Sequence, residues 1–507
     1  MRRLLAALAG VCLVAGCAVG PSYRRPDLDL PASWRAPSAV ADSLRPFYDS
    51  LLAYRDTLPL EPGATPKLAP RDSLPADLVL LSDTTANLVW FDLLLDPELR
   101  QLVETALTEN RDVRVALAVI DEYRAQYGVA KSDAFPQIGL TVQGGRTQSV
   151  LGSLGSFTYN WIEAVAGLQW ELDFWGRIRR ASEAARNDLL AQEENRRAVV
   201  LTLVSDVASA YLQLRELDLE LEISQRTLTA NRETLRLAKR RFDQGLISEL
   251  DVRRFESEVA SPAASVAQLE GQISQKEAQL SVLVGRNPAS IRRGRPLTEV
   301  LGSLEIPAYL PSALLERRPD VRQAEEQVHA ATARIGAATG DLLPKFTITG
   351  AYGTFSRNTS ELFKANSQEY QILGGVSVPL FTGGRLRKQV SVARARADQS
   401  RYQYEQTVLT ALQEAEQALV GVRAARNQVA AQQTQVDALR RALRLAELRY
   451  EAGSSSYLDL LDAQRSLFSA ELSLAQQQGQ QATATVTLYK ALGGGWPVTP
   501  ADSAALR

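Results

Sequence analysis

The stretch from Trp161 to Trp175, WIEAVAGLQWELDFW, alternates apolar and polar side chains with a period of two. Apolar residues occupy the even positions from Ile162 to Phe174. The odd positions include Glu163, Gln169, Glu171 and Asp173. Because successive side chains of a β-strand point to opposite faces, this pattern predicts a strand with one apolar and one polar face.

Three further segments show the same alternation. Their apolar positions are Ile138, Leu140 and Val142, then Phe346, Ile348 and Tyr352, then Tyr370, Ile372, Val376, Val378 and Leu380. We therefore predict strands at about 137–149, 160–174, 345–356 and 368–380. Loops rich in Gly, Ser and Asn join them in pairs, near Gly152–Ser156 and Arg357–Ser367, so two hairpins are expected.

The two hairpins belong to an internal duplication. Asp112-Val113-Arg114 recurs 208 residues later as Asp320-Val321-Arg322, and Gly176-Arg177 recurs as Gly384-Arg385. The same register, without a gap, relates Gly245 to Gly453 and Gly285 to Gly493. Self-similarity at one fixed offset indicates two copies of one structural unit, at 107–288 and 315–496.

Each copy also contains a long run with helical periodicity. Residues 177–243 and 385–451 hold no proline, and each run of 67 residues would form roughly 100 Å of helix. Gly245 and Gly453 follow these runs as C-caps, and Ser248 and Ser456 can then begin return helices. We expect helical hairpins at about 177–285 and 385–493, with a kink at Pro262.

The N-terminus has the layout of a secretory signal. Arg2 and Arg3 precede an apolar run too short to span a bilayer, so 1–16 is predicted to be removed. The run ends in small residues before Cys17, as at the sites where bacterial lipoproteins are cleaved and acylated. Ala18 at the next position is typical of sorting to the outer membrane. The alternative is a plain signal peptide followed by an incidental cysteine.

Composition argues against most other functions. A net charge of −1 offers no basic surface for nucleic acid, and one histidine with two cysteines leaves little material for a metal site. The carboxylate groups Glu325-Glu326 and Glu256/Glu258 are interpreted as solvated charge, and His329 as a helix-surface residue. We predict no catalytic residue, no metal site and no cofactor other than a covalent lipid on Cys17.

The apolar strand faces leave two interpretations open. A soluble antiparallel sheet with one buried face shows the same alternation. The predicted lipid anchor favours a membrane location instead, where strands of about ten residues cross the hydrocarbon core. Four strands cannot close a membrane barrel, so the chain is then expected to oligomerise, as a dimer of eight strands or a trimer of twelve.

Several motifs together resemble the TolC-type outer-membrane factors, closest to the lipoprotein branch of efflux exit ducts. The motifs are Cys17–Pro26 (CAVGPSYRRP), Pro31–Trp34, Trp90–Asn110, Phe381–Arg385 and Tyr457–Arg465. The resemblance covers nearly all of the mature chain, except for an unusual insert at 36–88.

The resemblance implies an α+β membrane protein. Three chains with four strands each would form a twelve-stranded outer-membrane barrel, continued by a long helical coiled-coil tunnel in the periplasm. The segments 17–106, apart from the insert, and 289–314 would form equatorial elements, and 497–507 a C-terminal tail. The implied partners are two further copies of the chain, a periplasmic adaptor, an inner-membrane pump and outer-membrane lipid.

The resemblance also assigns roles to individual residues. Gly245, Leu246, Ile247 and Gly453 match the hairpin tips that contact the adaptor. Leu458 and Asp462 match side-chain rings that close the periplasmic end, and Arg449 would tie neighbouring helices there. The alternative function is a periplasmic coiled-coil adaptor or scaffold lipoprotein, which would lack the amphipathic strand pairs.

Overall fold

The computed structural model describes residues 18–26, 28, 30–31, 34, 96–150, 156–300, 317–452 and 454–494. Cys17, Gly453, the whole 36–88 insert and the C-terminal tail therefore lie outside the described residues. The chain divides into two compact units. Unit 1 comprises 1–28, 116–195 and 320–407, and unit 2 comprises 29–115, 196–319 and 408–507.

The described residues are mostly helical. The helices are α1 Pro97–Glu109, α2 Arg111–Ser132, α3 Arg177–Asp243, α4 Glu249–Leu283, α5 Leu297–Val300, α6 Pro319–Gly340, α7 Arg385–Glu451 and α8 Tyr457–Ala491. The long helices α3 and α7 have 67 residues each, and their return helices α4 and α8 have 35 each. Helix α4 is continuous through the buried Pro262.

One antiparallel sheet of four strands forms part of unit 1. Its strands are β1 Gln137–Val150, β2 Ser156–Leu172, β3 Lys345–Ser356 and β4 Gln368–Ser377. Their order in the sheet is β1-β2-β3-β4, so the pairing of β2 with β3 joins the first hairpin to the second. Strand β4 ends before Val378 and Leu380, which the sequence alternation had included.

The core of unit 2 is built where α3 passes the shorter helices. Val207, Tyr211 and Leu214 of α3 are fully buried and pack in one cluster with Leu99 of α1 and Leu280 of α4. Among the described helices, only α3 has a stretch apolar enough to span a membrane, and most of that stretch is buried. Burial in this cluster accounts for its apolar character.

A polar junction fixes the start of α1 against this core. The buried carboxylate of Asp96 caps the helix by accepting from the backbone N–H of Glu98 and Leu99. Its other oxygen accepts the Tyr211 hydroxyl at 2.8 Å and the Arg295 backbone N–H at 3.0 Å. The donors thus come from the first turn of α1, from α3 and from the segment that follows α4, and together they orient α1 on α3.

Candidate gate and membrane face

The apolar positions of the four strands form one continuous face. Paired residues lie side by side on the same face of an antiparallel sheet, so rows of side chains can be read from the register. Two such rows are Ile138, Leu168, Gly350 and Ile372, and Leu140, Ala166, Tyr352 and Tyr370. Ile138 is 74% exposed and Ile372 is 77% exposed. This face is apolar, and no described part of the chain covers Ile138 or Ile372.

The opposite face of the sheet carries mostly small and polar side chains, with large apolar exceptions such as Trp161, Phe355 and Leu373. Its rows include Gly139, Gly167, Ala351 and Gln371, and Thr141, Val165, Gly353 and Glu369. Strands β1 and β4 each pair on one side only, so both edges of the sheet remain open. A soluble sheet buries its apolar face and protects its edges, and among the described residues this sheet does neither.

The turn between α3 and α4 places the first predicted tip. Helix α3 closes with bonds from Gly245 N to Phe242 O at 2.8 Å and from Leu246 N to Arg241 O at 2.9 Å. Gly245 has a φ of +76°, which favours glycine because it has no Cβ. Leu246 is 68% exposed, so an apolar side chain stands in solvent at the end of the hairpin.

A capping box starts each return helix. Ser248 and Asp251 exchange side-chain and backbone hydrogen bonds at the start of α4, and Ser456 and Asp459 do the same at the start of α8. The two caps lie 208 residues apart, as the duplication requires. The Asp459 side chain therefore caps the start of α8, whereas Asp462 is not part of the cap.

The predicted gate residues Leu458 and Asp462 lie one turn apart on α8. Both side chains are exposed, Leu458 by 51%. Residues four apart on a helix share a face, so the two side chains project from the same side of α8. The Arg449 side chain near the end of α7 is also exposed, and it enters no ion pair within the described part of the chain.

A tie that the sequence did not predict lies beside Arg449. Arg241 of α3 donates to the Tyr450 hydroxyl of α7 at 3.1 Å, and its guanidinium lies 5.4 Å from the ring centroid. The contact combines a hydrogen bond with a cation–π interaction. It connects the first helical hairpin to the second close to their turns.

Two buried carboxylates form further ties between the hairpins. Arg465 of α8 donates from Nε to Glu258 of α4 at 2.8 Å, and Glu258 is 8% exposed. Glu471 of α8 accepts from Arg226 of α3 at 2.6 Å and from Arg440 of α7 at 2.8 Å. Charge-assisted bonds to buried carboxylates are stronger than neutral ones, so these contacts hold three helices at one point.

The interpretation of Glu258, Glu325 and Glu326 as solvated charge was wrong. Glu258 is buried against Arg465, Glu325 accepts two bonds from Arg25, and one buried oxygen of Glu326 has no partner among the described residues. Burial and the nearby Glu325 and Glu194 raise the pKa of Glu326 to about 7. Spacing along one helix shows which face a residue occupies, but not whether another helix covers that face.

Residues 102–286 and 310–494 each match the outer membrane efflux protein family, and the two matches begin 208 residues apart. The chain belongs to this family. The toluene efflux pump outer membrane protein TtgC of Pseudomonas putida is 32% identical over 98% of this chain and 96% of its own length. The cation efflux system protein CusC of Escherichia coli K12 is 32% identical over 82% of this chain and 91% of its own length.

Solved structures of outer-membrane channels have the same fold. The OprN channel aligns with a TM-score of 0.80 at 29% identity, covering 95% of this chain and all of that one. The MtrE channel of Neisseria gonorrhoeae, in its open state, also gives 0.80 at 29% identity, covering 94% of this chain and 98% of that one. The chain is thus an outer-membrane efflux channel, and its relatives are transport proteins rather than enzymes.

Proposed function

We propose that three copies of this chain close a twelve-stranded barrel in the outer membrane and form the exit duct of a tripartite efflux system. The observation that carries this proposal is the sheet of β1 to β4, which has two open edges and one uncovered apolar face. Unpaired backbone groups are not tolerated in lipid, so each edge requires the edge of another chain.

Three chains fit this requirement better than two. A barrel of eight strands has an interior just wide enough to be filled by its own side chains, whereas twelve strands leave room for water. The small and polar face of the sheet, with its glycines and Gln371, suits the inside of such a barrel. The apolar face with Ile138 and Ile372 suits lipid.

The exit duct would receive substrate from an inner-membrane pump held by a periplasmic adaptor. Gly245, Leu246, Ile247 and Gly453 are proposed to contact the adaptor. The exposed Leu246 supports this role, because an apolar side chain at the end of a hairpin can be covered by a partner. The alternative function, a periplasmic adaptor, does not account for the amphipathic strand pairs of the sheet.

The gate is proposed to consist of Leu458, Asp462 and Arg449. Around a threefold axis, three Asp462 carboxylates would form an anionic ring one turn from a ring of Leu458. The ties through Glu258, Glu471 and Tyr450 support a closed state, since separating the two hairpins would break all of them.

The anchor is proposed to be an acyl group on Cys17, which would place the chain in the outer membrane with its helices in the periplasm. Mass spectrometry of the purified protein would test it: an N-terminal peptide beginning at Cys17 should carry the mass of the lipid. An unmodified peptide that begins elsewhere would contradict the assignment.

Two measurements on the purified protein test the trimer and the gate. Native mass spectrometry should give three times the mass of one chain.

Planar lipid bilayers test the gate, and the parent channel should conduct rarely in them. Asp462→Ala and Leu458→Ala should open more often, because each removes one ring, while the exposed Ser469→Ala on the same helix should match the parent. A monomeric mass would refute the proposed trimer. Gate variants that stay as closed as Ser469→Ala would refute the proposed gate.

A further inference from the structure

The two faces of the sheet exchange their character toward the turns of the hairpins. Near the helices, the apolar side chains lie on the face that contains Ile138. Strand β2 begins at its hairpin turn with the sequence SFTYNW, in which Phe157, Tyr159 and Trp161 occupy the odd positions. Because successive residues of a strand point to opposite faces, these three rings lie on the face opposite to Ile138.

Over the same stretch, the face of Ile138 becomes polar. Thr158 and Asn160 of β2 occupy its even positions, and they pair with Gln148 and Arg146 of β1. A charged side chain on the lipid face of a barrel is destabilising near the bilayer centre and tolerated toward its boundary. In the proposed barrel, this level of the sheet therefore lies at or beyond the edge of the hydrocarbon, and its rings are directed away from lipid.

Phe355 of β3 adds a fourth ring to this face. Its centroid lies 6.4 Å from that of the Trp161 ring, with 16° between the planes. The rings of Phe157 and Tyr159 are 5.7 Å apart at 19°. Both pairs have the spacing of stacked aromatic side chains. Phe157 is still 42% exposed and Phe355 38%, so the four rings, here called the aromatic collar, offer apolar surface to solvent.

The Trp161 indole is fixed in place on the sheet. Its Nε1 donates to the Thr147 hydroxyl at 2.9 Å. A Cβ on Gly145 would lie 3.2 Å from the same nitrogen, so the indole covers the glycine and uses the space that a side chain would fill. The ring remains partly exposed. A ligand that contacts it would not need to order this side chain first, which favours binding.

One ring of the aromatic collar already holds a cation from the chain itself. The guanidinium of Arg357, one residue beyond the end of β3, lies 5.1 Å from the centroid of the Tyr159 ring. The negative face of an aromatic ring attracts cations, and the indole of tryptophan does so most strongly. The surface of the collar is therefore suited to positively charged groups that also carry apolar substituents.

Two carboxylates lie on the same face as the aromatic collar. Glu163 pairs directly with Phe355 across β2 and β3, and Glu369 of β4 lies on the next row. Neither enters an ion pair within the described part of the chain. Nearer to the helices the situation differs, because Glu171 of β2 pairs with Arg177 at 2.9 Å. Two carboxylates outweigh the charge of one arginine, so the surroundings of the collar are negative.

We propose that the aromatic collar, with the carboxylates of Glu163 and Glu369, binds apolar organic cations at the outer mouth of the pore. The inference rests on the proposed barrel, in which three sheets would arrange their collars around one opening at the end away from the helices. The rings provide apolar contact and cation–π attraction, while the carboxylates select positive charge. Binding at such a site has to be weak enough for release to the outside.

A pair of aromatic ions of opposite charge tests this selectivity. Benzyltrimethylammonium carries a benzene ring and a quaternary ammonium, whereas benzenesulfonate carries a benzene ring and an anion. Ligand-observed NMR titrations of the full-length protein in lipid nanodiscs should show saturable binding of the ammonium ion and none of the sulfonate. Equal binding of the two ions, or no binding of the ammonium ion, would overturn the proposal.

A matched pair of variants on β3 locates the site. Phe355 and Tyr352 lie on opposite faces of this strand, and both side chains are exposed in the single chain. Phe355→Leu should weaken binding of the ammonium ion by about two- to fivefold, because it removes one cation–π contact. Tyr352→Leu should bind it as tightly as the parent does. The same affinity in both variants would contradict the assignment to the collar.

Glu163→Gln tests the charge while it keeps all four rings and nearly the same side-chain shape. This variant should also bind the ammonium ion more weakly than the parent, and an unchanged affinity would contradict the role of the carboxylate. Native mass spectrometry of the same samples separates this inference from the proposed barrel. A trimer that does not prefer the ammonium ion would refute the collar alone, whereas a monomer would refute the barrel together with its mouth.

Discussion

The carboxylate of Glu216 on α3 occupies the space that a side chain at Gly479 on α8 would need. A Cβ on Gly479 would lie 1.9 Å from Oε2 of Glu216. Glu216 also borders a polar cavity of about 480 Å³, which is lined by glutamines and by Lys276 of α4. The absence of a side chain at Gly479 therefore lets a carboxylate enter the contact between two long helices.

This arrangement predicts that the contact is weaker at higher pH. Burial and the nearby Glu220 raise the pKa of Glu216 from 4.5 to about 7, against the opposing charge of Lys276. Because the folded-state pKa is raised, the protonated form is stabilised, and stability should fall as pH rises from about 4.5 to about 7. The protection factors of the α8 amides around Gly479, which correct for the intrinsic pH dependence of exchange, should fall over this range.

Glu216→Gln should remove most of that pH dependence and slow exchange at pH 8, because the amide does not ionise. Glu222→Gln is the control, as Glu222 is exposed on the same helix. If Glu216→Gln retained the pH profile of the parent, the carboxylate would not be the group responsible.

Charge on the apolar face of the sheet should disrupt the channel. Ile372 and Gln371 are neighbours on β4, both exposed in the single chain, and they point to opposite faces. Ile372→Lys should lower stability in lipid vesicles by about 2–4 kcal/mol if the residue lies near the bilayer centre. Gln371→Lys should have little effect, because it faces the proposed pore. Similar losses in both variants, measured by denaturant titration, would favour a soluble sheet.

The tie between Glu258 and Arg465 should help to keep the hairpins together. Arg465→Ala leaves a buried carboxylate without its partner, which typically costs about 1–3 kcal/mol. We expect a larger leak current in planar bilayers, while Arg444→Ala, which removes an exposed arginine, should not change it. Exchanging the two residues, Glu258→Arg with Arg465→Glu, should recover part of the closure. A leak unchanged by Arg465→Ala would show that the tie is dispensable.

Tyr211→Phe should loosen α1 and the segment that follows α4. The hydroxyl donates to Asp96 and accepts from the Gly294 backbone N–H at 2.8 Å, so its loss leaves two buried groups each missing a partner. Hydrogen exchange should increase in α1 and around Gly294. Tyr402→Phe, at an exposed tyrosine, is the control and should leave these peptides unchanged. Unaltered exchange in Tyr211→Phe would mean that water replaces the hydroxyl.

The sequence predicted the elements with strong local periodicity. The alternation from Ile162 to Leu172 falls within β2, and the glycine and serine signals at Gly245 and Ser248 mark the end of α3 and the start of α4. Because the offset of 208 residues is even, the apolar side chains fall at even positions in both copies. The apolar face that contains Ile138 therefore continues to Ile372.

Contacts between distant segments were not predictable in the same way. Arg465 lies 207 residues from Glu258 along the chain, and Arg25 lies 300 residues from Glu325. A helical pattern gives the face of each residue but not the identity of the helix opposite. A charged residue within an apolar run, as at Glu471 in the stretch LFSAELSLA, was the one local sign that a buried partner existed.

The pairing of β2 with β3 limits how copies of this chain can join. It leaves one free edge on β1 and one on β4, which differ in sequence, so each junction in the proposed barrel is head-to-tail. A subunit with a damaged β1 edge would still attach through β4 and then halt ring closure. Co-expression of such a subunit with the intact one should therefore reduce the amount of assembled channel in proportion to the amount of the damaged subunit. This would be a dominant-negative phenotype that arises from a single blocked strand.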